Sequence, residues 1–210
     1  MKRLYLTSTV NFVAERLAKD LNPKAPNNQL AFILTATEDK HRTDKSWIEN
    51  DRNSLKKAGF EVFDYTIAGK TKDQIRKDLN DVGYLYVEGG NTYYLLEKAQ
   101  QSGFVDLVKD FVLREEKVYI GTSAGSIVAS RDTYPAIKLD DLSVAPNLKG
   151  YEGFGLVDFT VLPHWGSDTF KNGYLPDGIA HTYKGNSELI LLRDNQYIEV
   201  KDDWYRIVEV

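Results

Sequence analysis

Short apolar runs alternate with segments of helical period over the first 130 residues, and this rhythm restricts the chain to few folds. Five runs are rich in β-branched and aromatic residues and mostly apolar on both faces: RLYLTS, LAFILTA, FEVFDYTI, VGYLYVEG and KVYIGTS. The segments between them carry apolar residues at i, i+3 and i+4, and Thr71 with Gln74 fits a capping box. The order predicts an α/β fold with three layers, in which helices cover both faces of a mostly parallel central sheet.

The pattern changes after Ser130. Residues 131–155 contain no long periodic segment and are predicted to form an extended loop, while FGLVDFTVLPHW predicts another strand. The final stretch, ELILLRDNQYIEVKDDWYRIVEV, alternates as antiparallel strands do, with predicted turns at Asp194-Asn195 and Asp202-Asp203. We therefore expect C-terminal antiparallel strands beside the parallel part of the fold.

Composition limits both the number of domains and the classes of partner. A chain of 210 residues with 42% hydrophobic residues can bury one sizeable core, and no Pro/Gly/Ser-rich linker divides it, so we predict a single α/β domain over residues 1–210. The net charge of −4 comes from interspersed acids and bases without a basic stripe, which argues against nucleic acid and anionic membranes as partners. The expected partner is a small molecule or a short peptide.

Further features concern location and chemistry. The sequence has no cysteine, which excludes disulfides, thiolate metal sites and cysteine nucleophiles. MKRLYLTSTV turns polar too early for a signal peptide, and no apolar run reaches the length of a transmembrane helix. These features predict a cytoplasmic protein.

A G-x-S-x-G pattern, Gly121 to Gly125, stands between a predicted strand and a predicted helix. In the nucleophile elbow, small neighbours let the helix pack against the strand while the serine hydroxyl, here Ser123, is held out of the sheet. The backbone N–H of Ala124 would then face a developing oxyanion. The alternative is a tight turn with Ser123 as an ordinary helix N-cap.

A second glycine pair follows the preceding predicted strand, in YVEGGNTYYLLEKAQ. Gly89 and Gly90 permit a close approach of the backbone to a ligand, and Asn91 or Thr92 can cap the next helix. A plain strand-to-helix connection and a phosphate-binding loop are the alternatives, although no G-x-G-x-x-G or G-K-[ST] is present. Because ligands of open α/β sheets bind at the carboxyl ends of the strands, both glycine segments are candidate parts of one site.

A serine nucleophile needs a base, usually histidine, and the chain offers three candidates. His41 lies in a charged stretch and His181 follows a Gly/Pro-rich segment, so both are predicted to be surface residues. His164 directly follows an apolar strand and a proline, where the sheet edge would present it beside Ser123. A buried structural histidine is the alternative for His164.

Three segments together resemble the peptidase E family of serine peptidases, the α-aspartyl dipeptidases, with cyanophycinases as distant relatives. They are VEGGNTYYLL, GTSAGSIVAS and GLVDFTVLPHW, and the likeness extends from about Tyr84 to His164. The resemblance implies a fold similar to class I glutamine amidotransferases. It also implies a metal-independent peptidase without a cofactor, which agrees with the absence of an H-E-x-x-H motif or a close histidine pair.

The resemblance assigns roles to individual residues. Ser123 is implied as nucleophile, His164 as base, and the N–H groups of Gly90 and Ala124 as oxyanion hole. Asn91, next to Gly90, is predicted to contact the substrate. The resemblance also implies an acidic partner of the histidine between serine and histidine in sequence, and the family's spacing favours Asp141 or, second, Asp140. The other acids of that interval are Asp132, Glu152 and Asp158.

The sequence therefore predicts a serine peptidase that hydrolyses short peptides through an acyl-enzyme, as a dipeptidase that prefers an N-terminal acidic residue. A basic residue would pair with such a substrate, and the candidates near the motifs are Arg131, Lys138 and Lys171. The alternative is a non-catalytic module that binds a small molecule on the same fold. The sequence leaves the oligomeric state open, a homodimer being one possibility.

Overall fold

Strands and helices alternate along the computed structural model, which describes residues 1–21, 27–39, 44–174 and 188–210. The strands are β1 (Arg3–Thr7), β2 (Gln29–Ile33), β3 (Glu61–Tyr65), β4 (Tyr84–Val87), β5 (Val118–Thr122), β6 (Phe159–Leu162), β7 (Glu188–Leu191), β8 (Gln196–Lys201) and β9 (Trp204–Glu209). The helices are α1 (Val10–Leu21), α2 (Ser46–Lys57), α3 (Lys72–Asp78), α4 (Thr92–Ser102), α5 (Phe104–Leu113), α6 (Ala124–Val128) and α7 (Lys171–Tyr174). Within these described ranges, no helix has the length and apolar character needed to cross a membrane.

The main sheet has seven strands in the order β3-β2-β4-β5-β1-β8-β9. β1 to β5 are mutually parallel, whereas β8 pairs antiparallel with β1, and β9 antiparallel with β8. This arrangement confirms the predicted mostly parallel sheet with antiparallel strands at the C-terminal end. The five parallel strands end at one edge of the sheet, which is where ligands bind in open α/β folds.

Alternate residues of the parallel strands enter two separate cores. On β1, Leu4 and Leu6 pack into a core that helices α3 to α6 cover, whereas Tyr5 packs into a second core under α1 and α2. Because successive side chains of a strand point to opposite faces, a strand covered by helices on both sides must be apolar throughout. The three-layer α/β fold predicted from the doubly apolar strands is thereby confirmed.

A glycine divides the long helical segment before β5. The sequence from Asn91 to Glu116 has one uninterrupted apolar period, but the structure ends α4 at Ser102 and starts α5 at Phe104. Gly103 between them has φ 74°, in the left-handed region that glycine enters without the steric cost of a side chain. The chain therefore turns here while both helices keep their apolar faces on the same core.

A second, smaller sheet was not predicted. The alternation of the last 23 residues suggested that β7 pairs antiparallel with β8, and this prediction is wrong for β7, which pairs parallel with β6. The predicted turn at Asp194-Asn195 is part of the connection that carries the chain from the small sheet to β8. The predicted turn at Asp202-Asp203 does join the antiparallel pair β8 and β9.

Candidate active site

The strand-to-helix turn after β5 has the geometry of a nucleophile elbow. Ser123 lies between β5 and α6 with φ 48° and ψ −111°, a strained conformation for a residue with a side chain. A Cβ atom on Gly125 would lie 2.0 Å from the carbonyl oxygen of Val87, and one on Gly121 would lie 2.6 Å from the carbonyl oxygen of Gly125. The two glycines are therefore required because α6 crosses directly over the ends of β4 and β5.

His164 faces this serine from the end of β6. Its Nε2 lies 2.9 Å from Oγ of Ser123. The backbone of His164 has φ 62°, and its N–H donates to Oγ of Ser8 at 2.7 Å, which ties the strained residue to the end of β1. The ring of Phe170 stacks on the imidazole with centroids 4.3 Å apart. The backbone N–H, the ring face and Nε2 of the histidine are thus all in contact with neighbouring residues.

Asp194 completes the arrangement on the other side of the imidazole. Its Oδ1 lies 2.7 Å from Nδ1 of His164 and accepts hydrogen bonds from Oγ of Ser8 at 2.6 Å and Oγ1 of Thr9 at 2.9 Å. Burial by itself would raise the pKa of Asp194, but the hydrogen bonds from His164 and then Ser8 outweigh it and lower the pKa to about 2. Asp194 is therefore a carboxylate at neutral pH.

The glycine pair after β4 forms the opposite wall. Gly90 has φ 142°, and a Cβ there would lie 2.3 Å from the carbonyl oxygen of Ala36, so a side chain is excluded by both strain and space. A Cβ on Gly89 would lie 3.1 Å from Cβ of Ser123, which shows how closely this loop passes the elbow. Both glycines line the cavity that Ser123 and His164 also line.

That cavity has a volume of about 240 Å³ and carries two acids in its wall. Glu88 is fully buried and Asp51 is 2% exposed. Burial raises the pKa of both groups, that of Asp51 to about 6 and that of Glu88 well above its usual range, where the charge of Asp51 adds to the effect. The rings of Trp47 and Phe170 supply apolar lining.

Comparison with known proteins assigns the chain to a family. The model of peptidase family S51 matches residues 6–208. The chain belongs to peptidase family S51.

Individual S51 relatives agree with this assignment. The chain is 29% identical over 201 residues to an uncharacterised peptidase of Listeria monocytogenes. That alignment covers 96% of this chain and 95% of the relative. It is 31% identical over 114 residues to a probable alpha-aspartyl dipeptidase of Drosophila melanogaster, covering 54% of this chain and 44% of that protein. A crystal structure of a putative peptidase E protein from Listeria monocytogenes superposes with a TM-score of 0.88 at 25% identity, covering 100% of this chain and 99% of the other. The predicted resemblance to the peptidase E family is confirmed.

The S51 structure differs from the sequence prediction in the partner of the histidine. Asp140 accepts hydrogen bonds from the backbone N–H and Oγ1 of Thr92, and Asp141 accepts one from the backbone N–H of Ser143. Neither contacts His164, so the expectation that one of them faces the imidazole is corrected: Asp194 occupies that position. Within the same interval, Asp132 accepts from the N–H of Tyr134, and the exposed Asp158 lies 3.9 Å from Arg131.

Asp194 was missed because it was interpreted as a turn residue. The sequence did contain a signal for Asp194, because this residue follows an apolar strand just as Ser123 and His164 do. Ligands of open α/β sheets bind at the carboxyl ends of strands, and that rule applies to Asp194 as well. The family resemblance places the acid before the histidine in sequence, whereas Asp194 follows it.

The structure gives Asn91 a structural role. Its Oδ1 accepts hydrogen bonds from the N–H groups of Tyr93 and Tyr94 as the N-cap of α4, and its Nδ2 donates to the carbonyl oxygen of Asp141. Asn91 does not line the cavity, which gives no support to the predicted substrate contact. Of the other candidates, Arg131 and Lys138 are exposed, as is Lys171, which pairs with Asp168. His41 and His181 lie outside the described residues.

Proposed function

We propose that this S51 peptidase is a serine peptidase that cleaves dipeptides, with Ser123 as nucleophile, His164 as general base and Asp194 as the acid that orients the histidine. One observation carries the proposal: the two ring nitrogens of His164 lie 2.9 Å from the serine Oγ and 2.7 Å from the aspartate Oδ1. A hydroxyl, an imidazole and a carboxylate in this sequence of contacts are the parts of a Ser-His-Asp triad.

These contacts support an acyl-enzyme mechanism. Oγ of Ser123 attacks the peptide carbonyl carbon while Nε2 of His164 takes the hydroxyl proton, and Asp194 stabilises the imidazolium that forms. In the proposal, the N–H groups of Gly90 and Ala124 bind the oxyanion of the tetrahedral intermediate. His164 then donates its proton to the leaving amine, and a water molecule hydrolyses the acyl-enzyme by the reverse roles.

Dipeptides are the proposed substrates because the cavity is small. Its volume of about 240 Å³ is below the roughly 300 to 1,000 Å³ of pockets for drug-sized ligands. The Drosophila relative, a probable alpha-aspartyl dipeptidase, supports the same substrate size. The described cavity lining contains Asp51 and Glu88 but no lysine or arginine. It therefore gives no support to the predicted preference for an acidic first residue.

The decisive experiment is a panel of dipeptides that differ in the first residue, assayed with the wild type and Ser123→Ala. We expect hydrolysis by the wild type and a loss of kcat by about 10⁶-fold in the variant, as is found when a triad serine is removed. Labelling by a fluorophosphonate should be confined to Ser123. Ser54→Ala, at a partly exposed helix serine that does not line the cavity, is the matched control and should retain full activity.

Two results would contradict the proposal. Turnover retained in Ser123→Ala would remove the nucleophile assignment. A wild type that neither hydrolyses any dipeptide nor reacts with the fluorophosphonate would favour the non-catalytic binding module instead, because a binding loop has no reason to activate its serine.

A further inference from the structure

Two buried carboxyl groups form part of the cavity wall beside the elbow. Asp51, on α2, is 2% exposed, and Glu88, directly after β4, is fully buried. The hydroxyl of Tyr86 lies 3.3 Å from Oδ2 of Asp51 and 3.5 Å from Oε2 of Glu88, and the N–H of Gly89 donates to Oε1 of Glu88 at 2.6 Å. The proposed triad uses neither acid.

Neither acid has a lysine or arginine partner in the described part of the chain, and the only cationic group that acts on Asp51 is the more distant His164, which lowers its pKa. Adjacent carboxyl groups do not both ionise readily in a buried site, and burial together with the charge of Asp51 raises the pKa of Glu88. Glu88 and the backbone N–H of Asn11 lie close enough to lower the pKa of Asp51, but Oδ1 of Asp51, a buried atom, makes no hydrogen bond of normal geometry among the described residues. A buried charge without a partner is strongly unfavourable, which points to a cation supplied by the ligand.

We propose that Asp51 and Glu88 bind an alkylammonium group of the peptide substrate. The inference rests on the proposed function, since it concerns the peptide that Ser123 attacks. The aromatic ring of Trp47 lines the same cavity, and ring faces attract ammonium groups as carboxylates do. The site thus selects substrates that carry a primary amine near the scissile bond.

The α-amino group of the first residue is the source that the geometry favours. Glu88 directly precedes Gly89, where an added Cβ would lie 3.1 Å from the Cβ of Ser123. In a dipeptide, the α-ammonium is attached to the carbon next to the carbonyl that Ser123 attacks, so it enters the cavity that Ser123, Asp51 and Glu88 line together. The side-chain ammonium of a lysine at the first position is the second source of the same chemistry.

The test compares kcat/KM for the best dipeptide of the panel with kcat/KM for its N-acetyl derivative. Because both substrates are measured on one preparation, the ratio does not depend on how much of a variant is folded. For the wild type we expect a ratio of about 10 to 100 or more in favour of the free amine, the range of a charge-assisted hydrogen bond. The double variant Asp51→Asn/Glu88→Gln has no charge at this site and should show a ratio near one.

Single substitutions sharpen the test. Asp51→Asn or Glu88→Gln leaves one carboxyl group that can ionise, so each single variant should keep more of the preference than the double variant. Glu97→Gln is the matched control, since Glu97 is also a buried glutamate but pairs with Lys98 on α4 and does not line the cavity. Its ratio should equal that of the wild type.

A second pair of substrates separates the two sources of the amine. N-acetyl-lysyl and N-acetyl-norleucyl dipeptides differ only in the side-chain ammonium, and equal rates would assign the site to the α-amino group. A lysine preference that disappears in the double variant would assign it to the side chain.

Equal wild-type rates for free and acetylated substrates, with no lysine preference, would overturn the proposal, as would an unchanged ratio in the double variant. Both results require turnover that depends on Ser123, so they are distinct from failure of the proposed function itself.

Discussion

Oδ1 of Asp194 lies 2.7 Å from Nδ1 of His164 because the strands before these residues are parallel neighbours. His164 follows the end of β6 and Asp194 follows the end of β7, so the small sheet delivers both side chains at the same edge. The backbone continues the pairing past the strands, since the N–H of Leu192 donates to the carbonyl oxygen of Leu162. The small sheet therefore positions the histidine and its acidic partner together, while the main sheet positions the serine.

Replacing Asp194 by Asn should lower kcat about 10⁴-fold, because an amide can stabilise the wrong tautomer of His164 and cannot stabilise the imidazolium. Steady-state kinetics on the best dipeptide would measure the effect. Asp141→Asn, the acid favoured by sequence alone, is the control and should stay close to wild type. The reverse order of effects would refute the assignment of Asp194.

Ser8→Ala should lower kcat about 10- to 100-fold with little change in the fold, a loss typical of a misplaced catalytic group. Ser8 accepts from the N–H of His164 and donates to Asp194, so its loss frees the histidine backbone and removes one of the donors that lower the pKa of the carboxylate. Kinetics with circular dichroism as the check on folding would test this. Wild-type turnover in a folded Ser8→Ala protein would show that the hydrogen bonds of His164 and Asp194 suffice alone.

Gly125→Ala should destabilise the fold severely, because the new Cβ would lie 2.0 Å from the carbonyl oxygen of Val87. Gly150→Ala is the matched control, since nothing lies within 4 Å of a Cβ at that position. Thermal unfolding of the two variants beside the wild type gives the comparison. A Gly125→Ala protein as stable as Gly150→Ala would contradict the close packing of α6 on β4.

Asp51→Asn should stabilise the protein by about 1 to 3 kcal/mol above pH 6. Burial raises the pKa of Asp51 in the folded state to about 6, above the value of about 3.9 in an unfolded chain, so ionising this group costs folding free energy. The cost grows as the pH rises from about 4 to 6, stays constant above, and is absent below about pH 4, where the group is protonated in both states.

Urea unfolding at pH 7.5 and pH 3.5 would measure the effect of Asp51→Asn. The groups that face Asp51 are Tyr86, Glu88 and, more distantly, His164. Equal stability of variant and wild type at pH 7.5 would show that ionising Asp51 does not lower the free energy of unfolding. A gain that persisted at pH 3.5 would show that the amide stabilises for a reason other than charge.

The parts of the site that local sequence determines were predictable. The spacing of Gly121, Ser123 and Gly125 encodes the close packing of one strand and the helix that follows it, and the structure shows that packing. β1, β2, β4 and β5 were predicted in the same way, because strands buried on both faces have a distinct composition, whereas β3 is a largely exposed edge strand. Such signals depend only on neighbours along the chain.

The position of Asp194 depends instead on which strands pair. Alternation in the last 23 residues indicates strands but does not specify partners, and the pairing of β7 with β6 decides where the acid lies. The division of the long helical segment at Gly103 is a similar case, because a glycine within an apolar period either continues the helix or ends it.

The separation of the serine from its histidine and aspartate on two sheets has a consequence for local unfolding. β7 is four residues long, largely exposed, and pairs with β6, whereas β5 is buried between β4 and β1. Amide protons of β7 should therefore exchange through small openings that leave the main sheet intact, and each opening would separate Asp194 from His164. Under mild denaturant, turnover would fade before the tertiary signal of the tyrosines in the main core. The working lifetime of the enzyme would then be set by the opening of β7, while the overall free energy of unfolding measures a different and larger event.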